Sequence, residues 1–234
     1  MAGMRHRTVR GQLAYHHLDG PERGRERFTI TIHENGCRTL RAVCEIDADE
    51  VLRDVTYSVN HAYQPLDAFV RLTVRERFLG CGWFLFEDDV ASCESFTAAE
   101  GRVSQRIRVP ARPLAFGSHP ISADAWLTAV FDVSGAREQY FDNVFISSYA
   151  FNGAGGPLLY PIHFGLEHLG RERITVPAGE FECRHVRFLL DGSEVAGHPQ
   201  YDLWISDDDR YLCVRALVGS PKDYLYELVA LEPD

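Results

Sequence analysis

Hydrophobic residues in this chain recur mostly at every second position, the spacing that sends alternate side chains to opposite faces of a β-strand. Residues 26–33 place Phe28, Ile30 and Ile32 on one side, and residues 38–46 place Leu40, Ala42, Cys44 and Ile46 together. Glu34-Asn35-Gly36 between them is a hairpin turn, because Asn-Gly readily adopts the backbone such turns require. Strand patterns continue over 51–59, 68–78, 83–87, 91–98 and 102–109, punctuated by Gly80-Cys81-Gly82 and by Gly101. In the 68–78 run, Val70, Leu72 and Val74 oppose Arg71, Thr73 and Arg75.

Pro110, Pro113, Gly117 and Pro120 then break the series. Ser122 is suited to cap a short helix over 123–131, with Trp126, Leu127, Val130 and Phe131 on one side. Residues 139–150 read as extended, and 153–157 as a turn-rich loop. The last third returns to strands over 172–176, 180–190, 200–205, 211–218 and 224–231, joined tightly at Pro177-Ala178-Gly179 and Asp207-Asp208-Asp209. Many short strands with one helix predict a mainly β fold: a single antiparallel β-barrel or strongly bent sheet, with its short helix near 123–131. The whole chain, 1–234, is expected to form one barrel-like domain.

Composition narrows the partners. The 234 residues are 45% hydrophobic and 25% charged, the proportions of a globular domain able to bury a sizeable core. A net charge of −10 argues against nucleic acid, whose phosphates need clustered cations. No apolar stretch is long enough to span a bilayer as a helix. Residues 1–7 carry charge without a following apolar run, so no secretory signal is expected and a cytoplasmic location is. Cys37, Cys44, Cys81, Cys93, Cys183 and Cys213 lack paired spacing and are expected to be free thiols.

Residues 174–183, Ile-Thr-Val-Pro-Ala-Gly-Glu-Phe-Glu-Cys, are followed by Tyr201-Asp202-Leu203-Trp204-Ile205-Ser206. This stretch resembles a large uncharacterised bacterial family with a Val-Pro-Ala-Gly turn and a Trp-bearing strand that ends in an Asp-rich turn. The resemblance covers roughly 165–231 and implies a bent antiparallel sheet or partly closed barrel, similar to lipocalin and lipoprotein-carrier folds. It brings no catalytic residues with it. Many members of that family are exported, and this chain, for which no signal is expected, is expected to depart from them.

The connection over 116–126 concentrates the candidate chemistry. His119, in a Gly/Pro-rich turn, reads as a general acid or base or as a polar loop residue. Asp124 reads as the group that orients it, or as a first-turn carboxylate stabilised by the helix dipole. Trp126, Trp83, Trp204 and Tyr57 would line a pocket for a ring-bearing ligand, or fill an ordinary β core. Arg71 would hold a substrate carboxylate or phenolate, or lie on a solvated strand face. His185 alternates with Val186 and Phe188, and would be ligand-facing if a barrel interior is partly polar.

No histidine or cysteine spacing predicts a metal site, and no G-x-G-x-x-G or G-x-S-x-G motif is present. The leading reading is a cofactor-independent lyase, isomerase or hydrolase acting on an apolar, ring-containing small molecule. On it, His119 moves a proton and Asp124 sets its tautomer, while Arg71 holds an anion and Trp126 stacks on the ligand. A non-catalytic carrier or sensor of an apolar ligand is the first alternative, and an assembly module binding a protein through a sheet edge the second. The oligomeric state is left open.

Overall fold

The computed structural model describes residues 6–195, 197–220 and 223–232. Its strands are β1 (His6–His17), β2 (Glu22–His33), β3 (Arg38–Ile46), β4 (Val51–Val59), β5 (Pro65–Val74), β6 (Arg77–Phe86), β7 (Val90–Thr97) and β8 (Gly101–Arg108). They continue with β9 (Ala115–Gly117), β10 (Glu138–Ile146), β11 (Tyr160–Val176), β12 (Gly179–Leu189), β13 (Tyr201–Ser206), β14 (Cys213–Val218) and β15 (Tyr224–Leu231). Among the described residues one α-helix, α1 (Ile121–Leu127), runs on into a 3-10 turn over Thr128–Val130, and a further 3-10 turn lies at Asp47–Asp49.

All fifteen strands form one sheet in the order β8-β7-β6-β5-β4-β3-β2-β1-β15-β14-β13-β12-β11-β10-β9. Chain neighbours pair as antiparallel hairpins from β1 to β8 and from β10 to β15, and β1 with β15 joins the two series. The pairing of β9 with β10 is parallel. The mainly β class and single sheet match the sequence expectation. The sheet is bent rather than closed, because β8 and β9 form its two edges and do not pair with each other.

A strap spans part of the gap between those edges. Leu159 donates its backbone N–H to Gln105 Oε1 of β8 at 2.7 Å, and Gln105 Nε2 returns a bond to the Leu159 carbonyl at 3.0 Å. The glutamine side chain thus satisfies both main-chain polar groups of Leu159, which lies outside any strand. Ser95 Oγ of β7 donates to the Pro157 carbonyl at 2.5 Å. This contact explains a misread punctuation: Gly80 and Gly82 lie inside β6, not in a turn. A Cβ on Gly80 would sit 2.8 Å from the Pro157 ring, so these positions make room for the strap. The real hairpin turn is Arg75-Glu76, with φ of 50° and 60°, a pair without turn-forming residue types.

The sheet wraps α1. Ile121, Ala123, Ala125, Trp126 and Leu127 are all buried, so the helix is apolar on nearly every side and Asp124 alone is half-buried. The helix begins two residues before the expected start, and Pro120 rather than Ser122 is its N-cap, with no capping side chain of its own. The cap comes from β2. Glu26, fully buried, accepts the Ile121 N–H on Oε2 at 2.8 Å and the Ser122 N–H on Oε1 at 3.1 Å. The Ser122 hydroxyl donates to the same Oε1, and Tyr15 Oη donates to Oε2 at 2.6 Å. Burial, then the neighbouring Cys44 and Glu26, push the Tyr15 phenol well up, so it remains a donor.

This carboxylate generates a test. Glu26→Ala leaves two backbone N–H groups and a phenol buried without partners, which costs about 3–5 kcal/mol of unfolding free energy. Ser122→Ala removes one donor from a site that keeps the others, and costs about 1 kcal/mol. Urea denaturation of the two variants checks the ranking; a Glu26→Ala loss below that of Ser122→Ala would show that the helix is held elsewhere.

Candidate functional site

A cavity of about 140 Å³ lies between α1 and the sheet. Leu127, Val144, Ile146, Phe164 and Phe188 make an apolar wall. Polar groups line it as well: Arg23 from β2, Arg53 from β4, Asp124 from α1, Tyr201 from β13, stacked on Phe188, and His119 from the turn before the helix. Residues 148–152 and 190–198 supply further lining.

Asp124 faces this cavity. Tyr201 Oη donates to its Oδ2 at 2.9 Å. Burial raises its carboxyl from the ordinary 3.8 to about 7, with Glu26 adding to the rise and Tyr201 and Arg53 opposing it. At neutral pH the group therefore lies close to half-protonated, and Tyr201 is itself pushed well up by burial and by Asp124. Such a perturbed pair inside a cavity is a recognised mark of a working site.

His119 lines the same space but is committed otherwise. Its Nε2 lies 2.9 Å from the Ser148 carbonyl, which can only accept, so Nε2 carries the proton. Burial and the Arg53 cation lower its pKa to about 3, which keeps the imidazole neutral across physiological pH. Its backbone sits at φ +74°, an uncommon conformation for a side chain this large. The Arg53 guanidinium holds that turn, donating to the carbonyls of His119 at 3.5 Å and of Asn152. Gly153, at φ +64°, is where Arg53 and His119 crowd the backbone, and a Cβ there would collide with both.

His119 and Asp124 are thus brought to one cavity, but no hydrogen bond joins them, and the tautomer of His119 is set by Ser148 instead of by Asp124. The other residues singled out in the sequence lie elsewhere. Trp126 is on the opposite side of α1, packed on Tyr57 at 5.6 Å and Tyr63 at 6.1 Å between ring centroids, with its Nε1 unpartnered. Tyr57 is buried core, edge-on to Phe116. Arg71 lies on the outer face of β5, 3.7 Å from Asp54, and Trp83 is half exposed on the outer face of β6. His185 and Trp204 are cross-strand neighbours on the outer face, stacked at 4.1 Å, with His185 Nδ1 3.0 Å from Glu172. In a sheet of period 2, Arg71 and Trp83 occupy the phase opposite to the buried residues of their strands, and His185 the phase opposite to Val186 and the cavity-lining Phe188.

Sequence reasoning missed Arg23, Arg53, Tyr201 and Glu26. A signal existed: Glu26 is in phase with Phe28 and Ile30, and Arg53 with Val51, Val55 and Tyr57, all inward-facing. The six cysteines are unpaired. Among the described residues, no group of His, Cys, Asp or Glu side chains is arranged to hold a metal, and no helix is long and apolar enough to cross a membrane.

No protein-family model and no curated protein matches the sequence. Likeness to solved structures is found at the level of fold. A β-barrel-like protein of the DUF1849 class from Brucella abortus superposes with TM-score 0.55 at 13% identity, over 98% of this chain and 97% of that one. A protein with a YmcC-like fold from Bacteroides fragilis aligns at TM-score 0.33 and 11% identity, over 96% and 95% of the two chains. The first likeness extends the resemblance from the last third to the whole chain, and it concerns fold alone.

The two titrating groups predict opposite pH limbs of stability. Asp124 has a folded pKa above its unfolded one, so its contribution is complete below about 4 and is lost as pH rises through about 7. His119 has a folded pKa below its unfolded one, so its contribution is present above 6.5 and is lost as pH falls toward 3. Asp124→Asn is expected to flatten the decline as pH rises toward 7, and His119→Asn, which tolerates the left-handed backbone, to lessen the decline on the acid side, to which His198 and Asp202 also contribute. Urea midpoints across pH 3–8 report both; an unchanged alkaline limb in Asp124→Asn would refute the burial assigned to that carboxyl.

Proposed function

We propose that the protein binds a small, largely apolar molecule inside its sheet, as a carrier or sensor of that molecule. The observation that carries this reading is the cavity itself, lined by apolar side chains together with a few polar groups. A ligand in this space of about 140 Å³ gains packing contacts with the apolar side chains that line it. Its volume is close to that of engineered cavities that accept one benzene ring. The polar groups facing it are held by protein partners, so the site is shaped before a ligand arrives and little ordering is needed on binding.

A second reading, acid–base catalysis in the same cavity, draws its support from Asp124. A carboxyl near 7, hydrogen-bonded to a phenol, is tuned to move a proton at neutral pH. His119 contributes less to this reading, because an imidazole with a pKa near 3 is a weak base and its Nε2 is already engaged.

Toluene and indole serve as probes of the binding reading. Each is expected to raise the melting temperature of the full chain and to perturb amide resonances around Phe164, Phe188 and Tyr201. Leu190→Trp, at the cavity margin, fills part of the space and is expected to abolish the response while the chain stays folded. Probe binding undiminished in Leu190→Trp, or resonance changes confined to another surface, would overturn the assignment of this cavity.

A further inference from the structure

Two guanidiniums line the cavity, and their partners differ. Arg23 is neutralised: its Nη2 lies 2.9 Å from the Asp49 carboxylate, and its guanidinium stacks over Tyr224 at 3.8 Å. Arg53 is 2% exposed and is bonded to two backbone carbonyls, with its Nε buried and unpartnered. Among the described residues, no carboxylate lies within ion-pair distance of it. A permanently charged group taken out of water without a counter-ion is costly, and carbonyl dipoles offset only part of that cost. Its five N–H donors are not used up by two carbonyls.

We propose that the ligand of this cavity is an organic acid with an apolar or aromatic body, whose carboxylate is received by the Arg53 guanidinium. The inference rests on the binding reading above and adds the chemical class. The apolar wall of Leu127, Ile146, Phe164 and Phe188 takes the body, and the charged head completes the ion pair that Arg53 lacks. Asp124 shares the polar end, and when protonated it is a donor there; when ionised it repels the ligand's charge. The groups around it are Tyr201 on β13, Glu26 on β2, Arg53 on β4, Cys213 on β14 and Tyr226 on β15. Carboxylate binding is therefore strongest below neutrality and weakens as pH rises through the Asp124 titration.

The test is calorimetry of the full chain with matched probes: benzoate against benzamide and benzyl alcohol, and hexanoate against hexanol. At pH 6 the two carboxylates are expected to bind at least about thirtyfold more tightly than their neutral counterparts. That preference shrinks at pH 8, whereas the neutral probes bind equally at both. Arg53→Gln, which keeps donors for the loop carbonyls but loses the charge, removes the preference; if it fails to fold, the wild-type series decides the matter alone. Neutral probes binding as tightly as the acids would overturn the carboxylate assignment and leave the apolar-ligand reading standing. A series in which no member binds would overturn both.

Discussion

A single carboxylate inside the sheet determines where everything else can go. A helix surrounded by strands has the same problem at its N-terminus as any other helix: its first N–H groups have no partner within the helix. Water solves that problem on a surface, and a capping side chain solves it locally. Here Pro120 can do neither, and the connection would leave two donors stranded in an apolar interior were Glu26 not beneath them. The negative charge also complements the positive end of the helix dipole. Burying a carboxylate is expensive, but this one receives bonds from a phenol, a hydroxyl and two peptides, which is near the capacity of its two oxygens.

The consequence spreads laterally through the register. Leu13, Glu26, Cys44, Arg53 and Leu72 oppose one another in turn across β1 to β5, so the interior carries a row with opposite charges separated by one strand. Glu26 holds residues 121 and 122, while Arg53 holds the carbonyls of 119 and 152. Between them, the segment from His119 to Ser122 is fixed at both ends. That bracing accounts for His119 persisting at a positive φ, since local backbone strain survives only where its surroundings over-determine it. It also fixes the angle at which Asp124 meets the cavity.

Much of the fold was legible because one rule governs most of it. The alternation in 26–33, 38–46 and 51–59 gave β2, β3 and β4 with nearly correct bounds, and Asn35-Gly36 marked their hairpin. The reading failed where tertiary contact overrode local chemistry. Glycines in β6 looked like a turn because the strap that requires them is more than 70 residues away in sequence. Arg75-Glu76 did not look like a turn because neither residue prefers a positive φ. The site was half legible. The unusual composition of 116–126 drew attention to His119 and Asp124, which do line the cavity. Arg71 already stands out of phase with Val70 and Leu72 and lies on the solvated face, whereas the aromatic candidates Trp83 and Trp204 rest on residue type, which does not distinguish the two faces of a strand. Phase does: a charged residue in step with apolar ones is the rarer event, and Glu26 and Arg53 are both such cases.

The polar end of the cavity is uneven in a way that follows from these constraints. The Ser148 carbonyl accepts a hydrogen bond from His119 Nε2–H, Tyr201 Oη donates one to Asp124, and Arg53 has donors only. Below neutrality Asp124 carries a proton of its own, which adds a donor beside Arg53 at the polar end of the cavity. An apolar ligand without a polar head would leave those donors further from water and gain only the packing term. A ligand that presents acceptors gains both, and the difference is largest where the local dielectric is low. The same low dielectric raises the Asp124 carboxyl and lowers the His119 imidazole, since burial disfavours the charged form of each. The electrostatics of the site thus originate in its burial, and that burial depends on a helix held within the sheet by Glu26.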